Sequence, residues 1–296
     1  MSKKFSVIQV LAAGCMWGCM GLLVRSLSTV GLGSIEIGFL RAAVAFVVML
    51  FGMLLFNRKA LHIRLKDIWC FIGTGALSLA FFNYCYFITI QLTSLAVAAI
   101  LLYTAPTFVM LMSAVLFKEK ITMQKLLAVL LAFAGCAFVS GLIGQSQTLS
   151  GVGILLGLGS GFGYALYSIF GRYALERGYS SMTISLYTFL FAALATFFLS
   201  DRGAIIAAFT ASPVLLPKVI LLIILVTVAP YICYTRGLAG LENGTASVIA
   251  SIEPVVATLV GIIIYKEGLD VWSVIGILLV LGSILLINWD KKERKK

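Results

Sequence analysis

Charge is what this sequence has least of. Asp, Glu, Lys and Arg make up only 11% of its 296 residues, where a soluble domain carries about 25%. With 61% hydrophobic residues and a mean hydropathy of +1.11, there is too much apolar surface for a soluble core to hide, and a bilayer is the remaining solvent. The equipment of common enzymes is missing as well. There is one histidine, His62, in a basic stretch where it reads as solvated. No HExxH, no Walker lysine loop and no nucleophile elbow with triad partners occurs. Paired-acid chemistry needs two buried carboxylates, and the apolar runs offer one strong candidate, Glu253. The six cysteines (Cys15, Cys19, Cys70, Cys85, Cys136, Cys233) sit inside apolar segments without a CxxC. They read as small hydrophobes, which excludes a disulfide frame or a metal site. No cofactor is expected. No ring of like charges or selectivity loop marks a channel, although a homo-oligomeric pore stays open.

What charge there is has one dominant sign, a net +11. Its placement, at the ends of apolar runs and in the short gaps between them, excludes a nucleic-acid-binding face. A span needs about 20 apolar residues. The runs predict ten helices, at 6–27, 34–56, 67–90, 93–116, 122–142, 150–174, 181–199, 214–238, 243–265 and 270–289. The first run is too long for a cleaved signal peptide. With the N-terminus inside, seventeen Lys and Arg fall on the inner side. Three (Arg202, Lys218, Lys266) fall outside, with Arg25 and Arg41 set apart inside the first two spans. The positive-inside rule therefore puts both termini in the cytoplasm of a multi-pass protein of the plasma or inner membrane.

Shifted by 148, the sequence overlays on itself. Tyr103-Thr-Ala-Pro106 meets Ser251-Ile-Glu-Pro254, Lys118-Glu119 meets Lys266-Glu267, and Cys85-Tyr86 meets Cys233-Tyr234. With a shift of 147, Arg25 meets Arg172, Ser34 meets Ser181, and Trp17 meets Tyr164. Two halves, 1–145 and 146–296, each of five helices, are expected. An odd number per half turns the second upside down, an arrangement typical of secondary transporters with a site near the midplane. Duplication in a scaffold or receptor is the alternative.

The early Ala13-x-x-x-Trp17-Gly18, Phe39-Leu40-Arg41, Leu102-Tyr103-x-x-Pro106 closing on Lys118-Glu119, and Glu253-Pro254-Val255 closing on Glu267 resemble the drug/metabolite transporter superfamily, in its EamA-type ten-helix branch. The resemblance covers residues 6–289. It implies a carrier, often an exporter of amino acids or related small molecules, driven by protons or by the substrate's own gradient. It also implies a cavity ringed by spans one to four and six to nine, with five and ten peripheral. The implied partners are a small-molecule substrate, protons and lipid. A channel and an intramembrane enzyme are the rival classes.

Glu253 is the sharpest candidate, about 15 Å deep in span nine. A central carboxylate costs at least about 2.5–3.5 kcal/mol to insert. It therefore faces protein or a wet cavity, where it can bind a cation, carry a proton, or lock helices at the Pro254 kink. Its repeat mate is Ala105. Pro106 and Pro254 each remove a backbone donor, from the carbonyls of Leu102 and Ala250, making paired hinges or static bends. Arg41 either attracts a substrate carboxylate or pairs with Glu36 or Glu253. Trp17, Asn83, Tyr86, Tyr103, Tyr164 and Tyr167 can cradle an amphipathic metabolite or sit at the membrane interface. Asn83 and Tyr86 share one helix face, as do Tyr164 and Tyr167. With Ser251 in place of Tyr103 in the second half, the cavity is aromatic on one wall and small and acidic on the other. The Gly153-xxx-Gly157-xxx-Gly161 ladder reads as close helix packing, since Phe162 breaks any nucleotide fingerprint. Asn243-Gly-Thr245 matches a glycosylation sequon by chance.

Overall fold

The computed structural model describes residues 2–140, 150–213, 215–268 and 270–289. Helices stand at all ten expected places. Eight are long and apolar enough to cross a membrane: helix one Lys3–Ser28, two Ser34–Phe56, three Leu65–Leu92, four Leu95–Leu116, six Gly151–Glu176, eight Leu216–Leu238, nine Asn243–Tyr265 and ten Val271–Asn288. Helix five, Met123–Val139, is shorter, and its expected end at 142 lies outside the described residues. Helix seven, Ser181–Phe197, turns by 106° into Arg202–Ala211. Ten helices therefore match in position, and eight in length, or nine if the bent pair counts as one span. Outward-facing Phe51, Leu55, Leu278 and Leu285 are between 63% and 73% exposed, a surface that only lipid satisfies.

The duplication extends to backbone conformation. Four described residues have positive φ: Gly31 (80°), Gly178 (86°), Lys118 (55°) and Lys266 (58°). They form two pairs, 147 and 148 apart. Gly31 and Gly178 end helices one and six, with Leu32 N–H bonded to Leu27 O and Tyr179 N–H to Ala174 O. Both are Schellman closures that need a left-handed residue. After Lys118 and Lys266, Glu119 N–H reaches Ser113 O and Glu267 N–H reaches Gly261 O, both at 3.2 Å.

Helices four and nine are each broken at matching points. Helix four is Leu95–Leu102 followed by Ala105–Leu116, and helix nine is Asn243–Ala250 followed by Glu253–Tyr265. Pro106 and Pro254 stand in the first turn of the second segment, where a missing N–H leaves nothing unpaired. The opposite half packs on each break. A Cβ on Gly161 of helix six would lie 2.7 Å from Leu101 O, and one on Gly14 of helix one 3.0 Å from Ala250 O. Gly14 and Gly161 are themselves 147 apart. Such reciprocity is what a two-fold axis between inverted halves requires. The glycine ladder of helix six lies along Leu92, Thr93, Leu101 and Thr104, as a packing seam should.

Helices three and eight each contain a π-helical stretch, Gly73–Ala80 and Ile224–Val228. Shifted by 148, the first overlaps the second. These wide turns adjoin the cavity described below, a common place for π distortion. Lys3 and Trp289 line one cleft, so both ends of the described chain share one face, called here the termini face.

Candidate functional site

Two small voids meet at the centre, and the Tyr164 ring borders both. The first lies between the broken helices. It is lined by Leu102, Tyr103, Ala105 and Pro106 on one side and by Ser247, Ala250, Ser251 and Glu253 on the other. The helix breaks put Tyr103 and Ser251 at non-helical positions, where freed backbone is tolerated because it borders a cavity. Glu253 follows the second break, and its backbone oxygen is held close to Gly18 of helix one. Its carboxyl lies near the Tyr164 side chain and the Arg41 guanidinium. Helices five and ten contribute no lining residue. They back the break of helix nine through Cys136, Val280 and Ile284 packed on Ile252 and Val255.

The second void is an aromatic box of Trp17, Phe82, Tyr164, Tyr167, Tyr231 and Tyr234 with Ser78 and Ser168. The Trp17 ring sits edge-on to Tyr231 at 5.3 Å and to Tyr164 at 6.3 Å, and Tyr167 edge-on to Tyr231 at 4.9 Å. Edge-to-face contacts of this kind stabilise by about 0.5–1.5 kcal/mol each. The hydroxyls are held: Tyr167 with Thr235 Oγ1 and Tyr234 with Ser168 Oγ, both at 2.7 Å. Arg41 Nε donates to Thr227 Oγ1 at 3.2 Å, in the π-helical stretch of helix eight. Each void has room for little more than a water molecule, so the centre is closed around its polar groups.

Of the residues singled out by sequence, Trp17, Tyr103, Pro106, Tyr164, Tyr167, Ser251 and Glu253 come together here. Arg41 faces Glu253 electrostatically, without an ion pair within 4 Å among the described residues. Glu36 accepts instead from Asp201 N–H at 3.1 Å. Asn83 lines a different, outer groove with Ser34, Tyr84 and Thr196, and its amide donates to Leu79 O at 2.6 Å. Tyr86 stands partly buried beside Phe87 and borders neither void. Pro254 is buried behind Glu253. The residues that sequence reasoning left out are Tyr231 and Tyr234, the repeat mates of Asn83 and Tyr86. Carrying that pair across the repeat would have found them.

Comparison with known proteins places the chain in a family. The model of the EamA-like transporter family matches twice, over residues 4–141 and again over 151–289. The chain belongs to the EamA-like transporter family. An uncharacterized transporter of Archaeoglobus fulgidus is 29% identical, over 96% of this chain and 96% of its own length. YwfM of Bacillus subtilis, also named an uncharacterized transporter, is 23% identical over 97% and 94%. The uncharacterized inner membrane transporter YicL of Salmonella typhimurium is 22% identical over 100% and 99%. A solved crystal structure superposes with a TM-score of 0.79 at 17% identity, covering 100% of each chain, and shows the same fold. These names are those of transporters, and the family model matches once in each half of the chain.

Proposed function

We propose that this EamA-family transporter carries a small metabolite with a cationic group, an amino acid or a related compound, by alternating access as an exporter or facilitator. The observation that carries this reading is a lone central carboxylate, Glu253, at a helix break beside a box of aromatic rings. A carboxylate attracts an ammonium group, and aromatic faces add cation–π attraction of about 0.5–2 kcal/mol. Arg41, across from Glu253, suits the carboxylate end of a zwitterion. Glu253 is also the candidate carrier of a proton in coupling. Pro106 and Pro254 act as the hinges, because each stands in the first turn of a helical segment that follows a break. The termini face is cytoplasmic, on the lysine and arginine bias of the sequence.

The test is uptake of a panel of labelled amino acids and amines into proteoliposomes, with and without a pH gradient. Saturable flux, lost or uncoupled from pH in Glu253→Gln while the protein stays monodisperse, is expected. Undiminished, still pH-driven flux in that variant removes Glu253 from the mechanism. Flux without saturation makes the protein a channel.

A further inference from the structure

The repeat mates at the two faces are alike in sequence but differ in what they hold. On the termini face, Glu119 reaches out of the first half and caps helix nine of the second. Its Oε1 accepts from Asn243 N–H at 2.7 Å and its Oε2 from Gly244 N–H at 3.3 Å. Asn243 is fully buried, donates its amide to Ser113 Oγ at 3.0 Å, and accepts from Arg172 Nε at 2.9 Å. Arg172 also donates to Leu241 O. Lys125 Nζ closes the cluster, 2.6 Å from Glu242 and 3.9 Å from Glu119. Helices four, five, six and nine are thereby stitched together across the two halves. Asn243 lies one turn from Ser247, which lines the central void.

On the other face the mate of Glu119 is Glu267 and the mate of Arg172 is Arg25. They pair with each other at 2.5 Å, each about half exposed, with Arg25 stacked 3.9 Å from the Tyr265 ring centre. Among the described residues Glu267 makes no hydrogen bond to helix four. Its counterpart landing site, the first turn of helix four at Leu95 and Ala96, is capped only by that helix's own Ser94, whose Oγ accepts from Val97 N–H at 3.2 Å. Leu95 is 64% exposed, where its mate Asn243 is fully buried. A carboxylate is well placed on a helix N-terminus, because the first turn has unpaired N–H groups and a partial positive charge. Glu119 has that position and Glu267 has its repeat-related equivalent within the same half-to-half geometry, unfilled.

We propose that Glu119 and Glu267 are the two arms of one latch, docked alternately. This structure shows the arm on the termini face docked and the arm on the other face parked on Arg25. In the opposite state Glu267 caps the first turn of helix four, Arg25 turns to the Thr93 carbonyl as Arg172 does to Leu241, and Glu119 falls back on Arg172. The proposal rests on the alternating-access reading above, but its test needs no substrate. Two docked charge-assisted hydrogen bonds hold the closed side, so their loss should shift exposure at least tenfold.

The probe is a membrane-impermeant maleimide applied to Ser247→Cys in the full-length protein with its six native cysteines replaced. The termini face is identified by a terminal tag. Labelling from that face is expected to be slow, at least tenfold faster in Glu119→Ala, intermediate in Glu119→Gln, and slower still in Glu267→Ala, which loses the cap of the state open on that face. A monodisperse Glu119→Ala protein labelled at the parent rate overturns the latch. Should Glu119→Ala not fold, Asn243→Asp serves instead: it keeps the side-chain volume but sets a negative charge against Glu119, and must likewise speed labelling. A substrate panel that shows no carried flux while labelling responds as stated removes the transport reading and leaves the latch. Flux that saturates with labelling unresponsive removes the latch alone.

Discussion

Gly18→Ala adds one methyl group where helix one crosses the start of the Glu253 segment. Its Cβ would lie 2.6 Å from Val256 Cβ and 2.7 Å from Glu253 O. Both obstacles are close to the backbone, so no side-chain rotation relieves them and helix nine must move. Overpacking of this kind costs about 1–3 kcal/mol. Alanine in place of glycine returns up to about 1 kcal/mol through helix propensity, leaving a net loss of about 1–2 kcal/mol. At the roughly 2–4 °C per kcal/mol typical of domains of about 150–250 residues, the melting midpoint in detergent should fall by about 2–8 °C. The control is one turn away. A Cβ on Gly21 meets nothing within 4 Å, so Gly21→Ala keeps only the propensity gain and should match or exceed the parent. The repeat sharpens the case, because the mate of Gly18 is Ala165, whose methyl packs without conflict on Ala105 and Val109. Thermal unfolding followed by size-exclusion fluorescence measures all three proteins. A Gly18→Ala protein as stable as Gly21→Ala, with transport intact, refutes the claim that the Glu253 backbone is seated on helix one.

The box and the clusters at both faces make further predictions. Tyr231→Phe should retain stability, since the ring contacts persist, but Tyr231→Ala empties the box and should cost about 3–5 kcal/mol by the large-to-small rule, read as a lower unfolding midpoint. Asp67 is held by Arg64 at 2.7 Å, Tyr179 OH at 2.8 Å and Arg177 at 3.2 Å, so Asp67→Asn should loosen the contact between helix three and the end of helix six, seen as faster proteolysis between residues 57 and 67. At the start of helix ten, the Ser273 hydroxyl and N–H hold the Asp270 carboxyl below the ordinary carboxylate value. A depressed folded value means the cap is fully stabilising above the ordinary value, about pH 4, and is lost as pH falls below it. Hydrogen exchange at the start of helix ten should therefore quicken only under acid, and a response near neutral pH would contradict the assignment.

Hydropathy placed all ten helices within a few residues, because an apolar run between charged gaps is a long signal. It could not place breaks or distortions, which depend on two or three atoms. The prolines announced the interruptions of helices four and nine. The π-helical stretches carried no comparable mark: Gly73 and Gly75 admit Phe170 and the Thr188 carbonyl from helices six and seven, which is tertiary contact and absent from local sequence. The spacing of Asn83 and Tyr86 puts them on one polar face, but Asn83 lines the outer groove. The repeat mates of that face, Tyr231 and Tyr234, fill the box instead. Periodicity reports that a face is polar, not which neighbour it meets.

What the halves do not share is more informative than what they do. A strictly symmetric site would offer a substrate two equivalent orientations, because every attraction on one wall would be repeated on the other. Here Ala105 faces Glu253 across the axis, Tyr103 faces Ser251, and Gly18 is matched by Ala165. The missing methyl at Gly18 lets Glu253 come up against helix one; the alanine at 165 gives its uncharged mate ordinary apolar packing. In the alternating-access carrier proposed above, the backbone symmetry of breaks, π turns and left-handed closures would supply the two end states. The side-chain asymmetry would then supply a single binding orientation within them. Replacing Ala105 by Glu would test this division of labour: a second carboxylate across the axis should disrupt binding through repulsion, and enhanced flux in that variant would show that the asymmetry serves something else.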